Sequence, residues 1–155
     1  MDDTAELTPL DPRYKTVLRI KAAIWLAVML IAATVGEIAV DGWTGLFWLP
    51  VLAWGAVSVG LLPLRRFRAR GYRLDADQLR IVQGVLFHWD TTVPFGRVQH
   101  IDVAQGPIER ANGIASLVLH TAGTDNSSVT LVGLAHEDAL AMRDGIRARM
   151  RANAV

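Results

Sequence analysis

An uncharged run from Gly42 to Leu64 dominates the pattern of hydrophobic and polar positions along this chain. A helix over those residues would rise about 35 Å, enough to cross the roughly 30 Å hydrocarbon core of a bilayer with some tilt. A second apolar stretch, from Ile20 to Val40, contains only two charges, Lys21 and Glu37. Because the link between the two runs is so short, the pattern predicts an antiparallel transmembrane helical hairpin.

From Tyr72 onward the pattern changes to short β-type runs separated by Gly, Pro, Asp and Asn, which are typical turn residues. The candidate strands are 72–74, 78–83, 87–93, 98–104, 116–122 and 128–131. Alternation within these strands predicts eight core residues: Leu79, Ile81, Ile101, Val103, Leu117, Leu119, Val129 and Leu131.

The stretch from Glu137 to Met150 changes to a helical period, with Ala139, Met142 and Ile146 on the same stripe as Met150. The sequence therefore predicts an α+β protein in which a transmembrane hairpin precedes a small antiparallel β-barrel or sandwich with a C-terminal capping helix. The predicted divisions are an N-terminal cytoplasmic tail at 1–19, the hairpin at 20–64 and the soluble domain at 71–152. The acidic start of the tail is expected to be mobile.

Charge predicts the orientation of the hairpin. Basic residues precede the first run and follow the second, whereas the connecting turn carries only acids. The positive-inside rule then predicts a multi-pass protein of the cell inner membrane with both termini in the cytoplasm. A cleaved signal peptide is the alternative interpretation of the first run, but no clear small-x-small cleavage site follows it.

Three features of the hairpin have alternative interpretations. Glu37 is expected at the membrane interface near the outer end of its helix, and the alternative is an ion path in a bundle interior. Two small-residue pairs would permit close helix contact within the hairpin or between copies. These pairs are Ala32 with Gly36 and Ala56 with Gly60.

A basic cluster follows the second run. The arginines expected to face lipid are Arg65, Arg66, Arg68 and Arg70. Beside an anionic leaflet each could contribute on the order of 1 kcal/mol. The simpler interpretation is that they only fix the topology.

The remaining composition excludes several kinds of chemistry. The chain has no cysteine, which excludes disulfides, thiolate metal sites and cysteine nucleophiles. Its four histidines show no His-x-x-x-His spacing, and no nucleophile elbow or phosphate loop is present. The sequence therefore predicts no catalytic residues, no metal, no cofactor and no enzyme activity. Mixed charges without a basic and aromatic platform also predict no nucleic-acid binding.

Several segments of the soluble half resemble a known family. They are YRLD at 72–75, GVLF at 84–87, VP at 93–94, RVQHIDV at 97–103, QGPIER at 105–110 with Gly113, and LHTAG at 119–123. Over about residues 70–150 they are similar to the bacterial membrane-flanked pleckstrin-homology-like domain, in its short members with two transmembrane helices. The resemblance implies a pleckstrin-homology-like barrel with a capping helix. Such members often occur beside a longer membrane protein that carries several copies of the domain.

The resemblance includes four further candidate residues for interaction or loop structure: Arg97, Gln99, His100 and Arg110. Only Arg73 and Arg80 are basic between Tyr72 and Val93, so headgroup recognition by those strands is not expected. The predicted function is a tethered protein-interaction or assembly module, with membrane lipids and another membrane protein as partners. The alternatives are an anionic-lipid-binding or membrane-sensing module and a regulatory subunit of a transporter or envelope enzyme.

Overall fold

Two long helices and seven strands make up the computed structural model, which describes residues 7–40, 45, 47–85, 87–122 and 128–152. The elements are β1 (Thr8–Pro9), α1 (Tyr14–Ala39), α2 (Trp48–Gly55), a π-helical segment (Ala56–Leu61), α3 (Leu62–Arg68), β2 (Arg70–Leu74), β3 (Gln78–Gln83), β4 (Trp89–Pro94), a 3-10 turn (Phe95–Arg97), β5 (Val98–Ala104), α4 (Pro107–Ala111), β6 (Ile114–Thr121), β7 (Ser128–Ala135) and α5 (His136–Ala152).

Two helical segments, Tyr14–Ala39 and Trp48–Arg68, are long and apolar enough to cross a membrane. The second combines α2, the π-helical segment and α3 into one continuous helix. The wider turn of the π-helical segment comes just before Pro63. In an ordinary α-helix the proline ring would clash with the carbonyl one turn earlier, and the wider turn relieves that clash. This helix begins later than the predicted Gly42 and continues beyond Leu64; residues 41–44 lie outside the described part of the chain.

The hairpin packs through residues one or two positions away from the predicted small pairs. Ala33, Gly55 and Ser58 are buried, and a Cβ on Gly55 would lie only 2.6 Å from Cδ1 of Leu26. Gly36 faces the Phe47 ring, but the other three predicted small residues do not form the contact. Ala32 and Ala56 are exposed, and Gly60 has open space at its Cβ position. The predicted contact within the hairpin was wrong for these three residues, because small residues alone do not define which face of a helix meets its partner. Contact between copies through these pairs stays a prediction.

Glu37 is 3 % exposed, and its carboxylate accepts a hydrogen bond of 3.1 Å from the backbone N–H of Phe47. That N–H lies at the start of the return helix, where backbone donors lack helical partners. Glu37 therefore joins the two helices beside the turn. Glu37 lies near the predicted outer end of its helix, and its contact with the return helix is one that the sequence did not indicate.

The strands form two antiparallel sheets, ordered β1-β2-β3-β4 and β5-β6-β7, which do not close into one barrel. The predicted bounds hold for β3 and β5, whereas β4 begins at Trp89 and β7 continues to Ala135. Six of the eight predicted core residues are buried, and Val103 and Val129 pack partly buried against them. Helix α5 contributes Ala139 and Ile146 to the same core, which confirms the predicted stripe.

Residues 7–19 of the predicted tail belong to the fold, whereas the acidic start at residues 1–6 lies outside the described part of the chain. Leu10, Tyr14 and Val17 are buried in the core between the sheets. The backbone N–H of Asp11 donates to the carbonyl of Gly133, 2.9 Å away. Gly133 has φ +77°, and a Cβ there would lie 2.8 Å from the Tyr14 ring, so this close approach requires glycine. Helix α1 consequently runs without a break from the domain core into the hairpin.

Candidate membrane-facing surface

The hydrogen-bonding register places one end of the first sheet beside the hairpin. Strand β2 begins at Arg70, two residues after α3 ends, and Arg70 pairs with Gln83, which in turn pairs with Trp89. The connection between β3 and β4 therefore lies at the hairpin end. The turn between β2 and β3 at residues 75–77 lies at the opposite end, about 20 Å away at about 3.3 Å per strand residue.

Large apolar side chains project from the connection at the hairpin end. Phe87 is 77 % exposed and Trp89 is 65 % exposed, and Val85 is also exposed. A groove joins them to Leu62 and Arg66 of α3. We call these five residues the interfacial patch. Exposed aromatic rings beside a cation at the end of a transmembrane helix suit the headgroup region of a bilayer.

The four arginines predicted to face lipid differ in their surroundings. Arg65, Arg66 and Arg68 are exposed, and within the described residues the structure gives their side chains no ion pair or hydrogen bond. Arg70 is half-buried, donates a 2.8 Å hydrogen bond from its Nη1 to the hydroxyl of Tyr14, and lies over that ring. Arg70 thus fastens β2 to α1, a contact that sequence spacing could not indicate because 56 positions separate the two residues.

The two basic residues of the first strands are paired with acids. Arg73 lies 3.3 Å from the carboxylate of Asp75, and Arg80 makes a forked contact with Asp90. The hydrogen bonds from Arg80 hold the pKa of Asp90 below its usual range. Both basic residues of β2 and β3 therefore lie against an acidic partner.

An ion pair indicates where α1 leaves the domain. Lys21 donates to the carboxylate of Glu109 in α4, and this hydrogen bond lowers the pKa of Glu109. The remaining 18 residues of α1, from Ala22 to Ala39, rise about 27 Å, close to the thickness of a hydrocarbon core. Trp25 and Trp54 line a groove that extends along the hairpin to Lys21 and Arg66.

The four candidates named from the family resemblance do not form one site. All four are exposed, and Arg97 lies in the turn between the sheets whereas Arg110 lies in α4. Within the described part of the chain neither Arg97 nor Arg110 forms an ion pair with Asp102 or Glu109, and Glu109 pairs with Lys21. Gln99 and His100 follow in β5.

The structure also brings together three residues that the sequence analysis did not group. His100 and His120 face each other across β5 and β6 with their rings stacked 4.0 Å apart. Nε2 of His120 lies 3.3 Å from Oδ2 of Asp102. The available signal was the spacing of His100 and Asp102, two residues apart in a predicted strand, but the pairing of β5 with β6 was needed to place His120.

Comparison with known proteins gave two matches. The family model described as "Bacterial PH domain" matches residues 17–150. A protein described as "UPF0699 transmembrane protein YdbS", from Bacillus subtilis (strain 168), is 30% identical over 107 residues. That alignment covers 69% of this chain and 64% of the relative, so the chain spans less than two thirds of the relative's length. No solved structure matches.

Proposed function

Since this chain belongs to the bacterial PH domain family, we propose that it is a membrane-docked PH-like module of the inner membrane. In this proposal the hairpin crosses the bilayer twice with both termini in the cytoplasm. The interfacial patch lies among the headgroups of the cytoplasmic leaflet. The observation that carries the proposal is the position of exposed Phe87 and Trp89 beside the basic end of the second span.

Continuity between anchor and domain supports docking over loose tethering. Helix α1 begins inside the domain core, Arg70 bonds to Tyr14, and Lys21 pairs with α4. These contacts restrict how far the domain can swing away from the hairpin. The exposed Arg65, Arg66 and Arg68 would then remain close to anionic headgroups, where each cation can contribute on the order of 1 kcal/mol.

The lipid contact can be tested by native mass spectrometry of the full-length protein in mild detergent with phosphatidylglycerol and phosphatidylcholine in equal amounts. We expect the wild type to retain phosphatidylglycerol preferentially. A triple variant with glutamine at 65, 66 and 68 should lose this preference, whereas Arg151→Gln, an exposed arginine in α5, should keep it. If the triple variant preferred phosphatidylglycerol as strongly as the wild type does, the three arginines would serve topology alone.

Assembly with another membrane protein is the second proposed role, and the unpaired edge of β4 favours it. Within the described residues, β4 hydrogen-bonds only to β3. An exposed strand edge can accept an extended segment of a partner through backbone hydrogen bonds. Docking would restrict this edge to the membrane plane and raise its effective concentration toward partners there. A longer membrane protein with several copies of the domain is the partner that we propose.

A photo-crosslinking amino acid at Thr92, exposed in β4, tests this role in native membranes. The matched control carries the same group at Ala141, exposed in α5. We expect a membrane protein with PH-like domains to crosslink at Thr92 and not at Ala141. Identical patterns at both positions would remove the support for pairing through the β4 edge.

A further inference from the structure

The outer face of the second sheet carries a cluster of metal-ligating side chains, which we define as His100, Asp102 and His120. His100 and Asp102 are two residues apart on β5, so their side chains project from the same face. His120 lies directly opposite His100 on β6. Three donors from two strands thereby converge on one point of an exposed surface.

The donor atoms are close to metal-binding geometry. Oδ2 of Asp102 is 3.3 Å from Nε2 of His120 and 4.0 Å from Nε2 of His100, and a donor from each residue lies within 4.8 Å of the other two. Tetrahedral Zn²⁺ with bonds of about 2.0–2.1 Å separates its ligands by roughly 3.3 Å. One pair already has this separation, the pair at 4.0 Å needs to close by about 0.7 Å, and the two imidazoles need to approach each other by up to about 1.5 Å.

Small side-chain rotations would achieve that closure. The two rings are nearly parallel, with an interplanar angle of 14°, so one imidazole must turn for both Nε2 lone pairs to meet an ion. His100 and Asp102 are more than half exposed, and the stacking of the two imidazole rings is the contact that this rotation has to break. The residues that flank the cluster in register on β6 and β7, Val118 and Thr130, carry no opposing charge.

We propose that His100, Asp102 and His120 bind one divalent transition-metal ion, with Zn²⁺ as the best match. Two imidazoles and one carboxylate are a ligand set that zinc and its neighbours in the series accept. Three protein ligands leave at least one coordination position open toward solvent. This proposal rests on the cluster itself and is independent of the proposed docking of the domain.

The test is titration of tag-free, full-length protein in detergent micelles with ZnCl₂ alone, followed by isothermal calorimetry. We expect one equivalent of Zn²⁺ per chain, with affinity lowered at least tenfold by His100→Ala or His120→Ala, since even changes to residues that only support metal ligands cost about 10–100-fold. His88→Ala, which removes an exposed histidine outside the cluster, is the matched control and should leave the affinity unchanged.

A wild-type measurement avoids any effect of the substitutions on folding. In ¹⁵N-histidine spectra, Zn²⁺ should shift Nε2 of His100 and His120 and leave His88 and His136 unchanged. Absence of stoichiometric binding at 100-fold excess Zn²⁺ would overturn the proposal. Binding that is equal in all variants, or shifts of all four histidines, would also overturn it by showing adventitious coordination.

Discussion

Removal of the two aromatic side chains from the interfacial patch should release the domain from the bilayer surface. Phe87 and Trp89 are 77 % and 65 % exposed. With about 200 Å² of surface for each ring, complete transfer from water would contribute up to about 7 kcal/mol at about 25 cal/mol per Å². A headgroup region removes only part of that surface from water, so we expect roughly half this value.

The depth of the connection between β3 and β4 in the bilayer can be measured with a single fluorophore, because the chain contains no cysteine of its own. Val85→Cys places the label in the interfacial patch, and Ala76→Cys places it at the opposite end of the same strands. In vesicles with brominated lipids, the label at position 85 should be quenched and the label at position 76 should not. The double change Phe87→Ser and Trp89→Ser should lower quenching at position 85 and reduce the ratio of docked to undocked molecules more than tenfold, since each 1.4 kcal/mol is a factor of ten.

Equal quenching at positions 85 and 76 would refute the reasoning, because the register places them about 20 Å apart along the strands. Unchanged quenching at position 85 in the double variant would refute it as well. That result would mean that the hairpin alone sets the depth of the connection.

Three further predictions concern stability and follow from individual contacts. Gly133→Ala should destabilise the domain by about 2 kcal/mol or more in chemical unfolding, because φ at this position is positive and a Cβ would lie 2.8 Å from the Tyr14 ring. Gly145→Ala, in a helix with open space around it, should stabilise the domain by about 0.5–1 kcal/mol. A similar loss of stability at both positions would contradict this reasoning. Glu37→Leu should destabilise the hairpin in detergent by about 1–3 kcal/mol, since it leaves the half-buried backbone N–H of Phe47 without its acceptor. Glu37→Gln keeps an acceptor and should unfold like the wild type. The ion pair of Lys21 and Glu109 should stabilise the folded state above pH 4.5, and this stability should be lost as the pH falls through the lowered folded-state pKa of Glu109. Lys21→Gln should remove this part of the dependence of unfolding free energy on pH. The same pH dependence in the variant and the wild type would argue against a stabilising pair.

Local patterns in the sequence predicted most of the fold. Long apolar runs fixed the two spanning helices, and alternation identified core residues such as Leu79, Ile101 and Leu117 because burial on one face of a strand depends on a period of two. The N-terminal segment was missed because Leu10 and Tyr14 lie among prolines and charges. The spacing of Leu10, Tyr14 and Val17 was the available signal. It could not show that these residues are buried, because they pack beside Gly133, which is distant in the sequence.

The interfacial patch and the histidine cluster could not be predicted because both depend on pairing between strands. Phe87 and Trp89 were assigned to one strand, and only the register from Arg70 through Gln83 places them beside the hairpin. His120 meets His100 only once β5 pairs with β6. Periodicity indicates which face a residue occupies, but it does not indicate which strand end lies beside the hairpin.

The most direct test of the central claim is thiol labelling of single-cysteine variants in intact bacterial cells with a reagent that does not cross the inner membrane. Val40 is exposed at the end of α1 beside the hairpin turn, and Ala76 is exposed at the far end of the domain. The account predicts that Val40→Cys reacts in intact cells, whereas Ala76→Cys reacts only after the inner membrane is permeabilised. Reaction of Ala76→Cys in intact cells, or protection of Val40→Cys, would contradict a hairpin that holds the domain against the cytoplasmic leaflet.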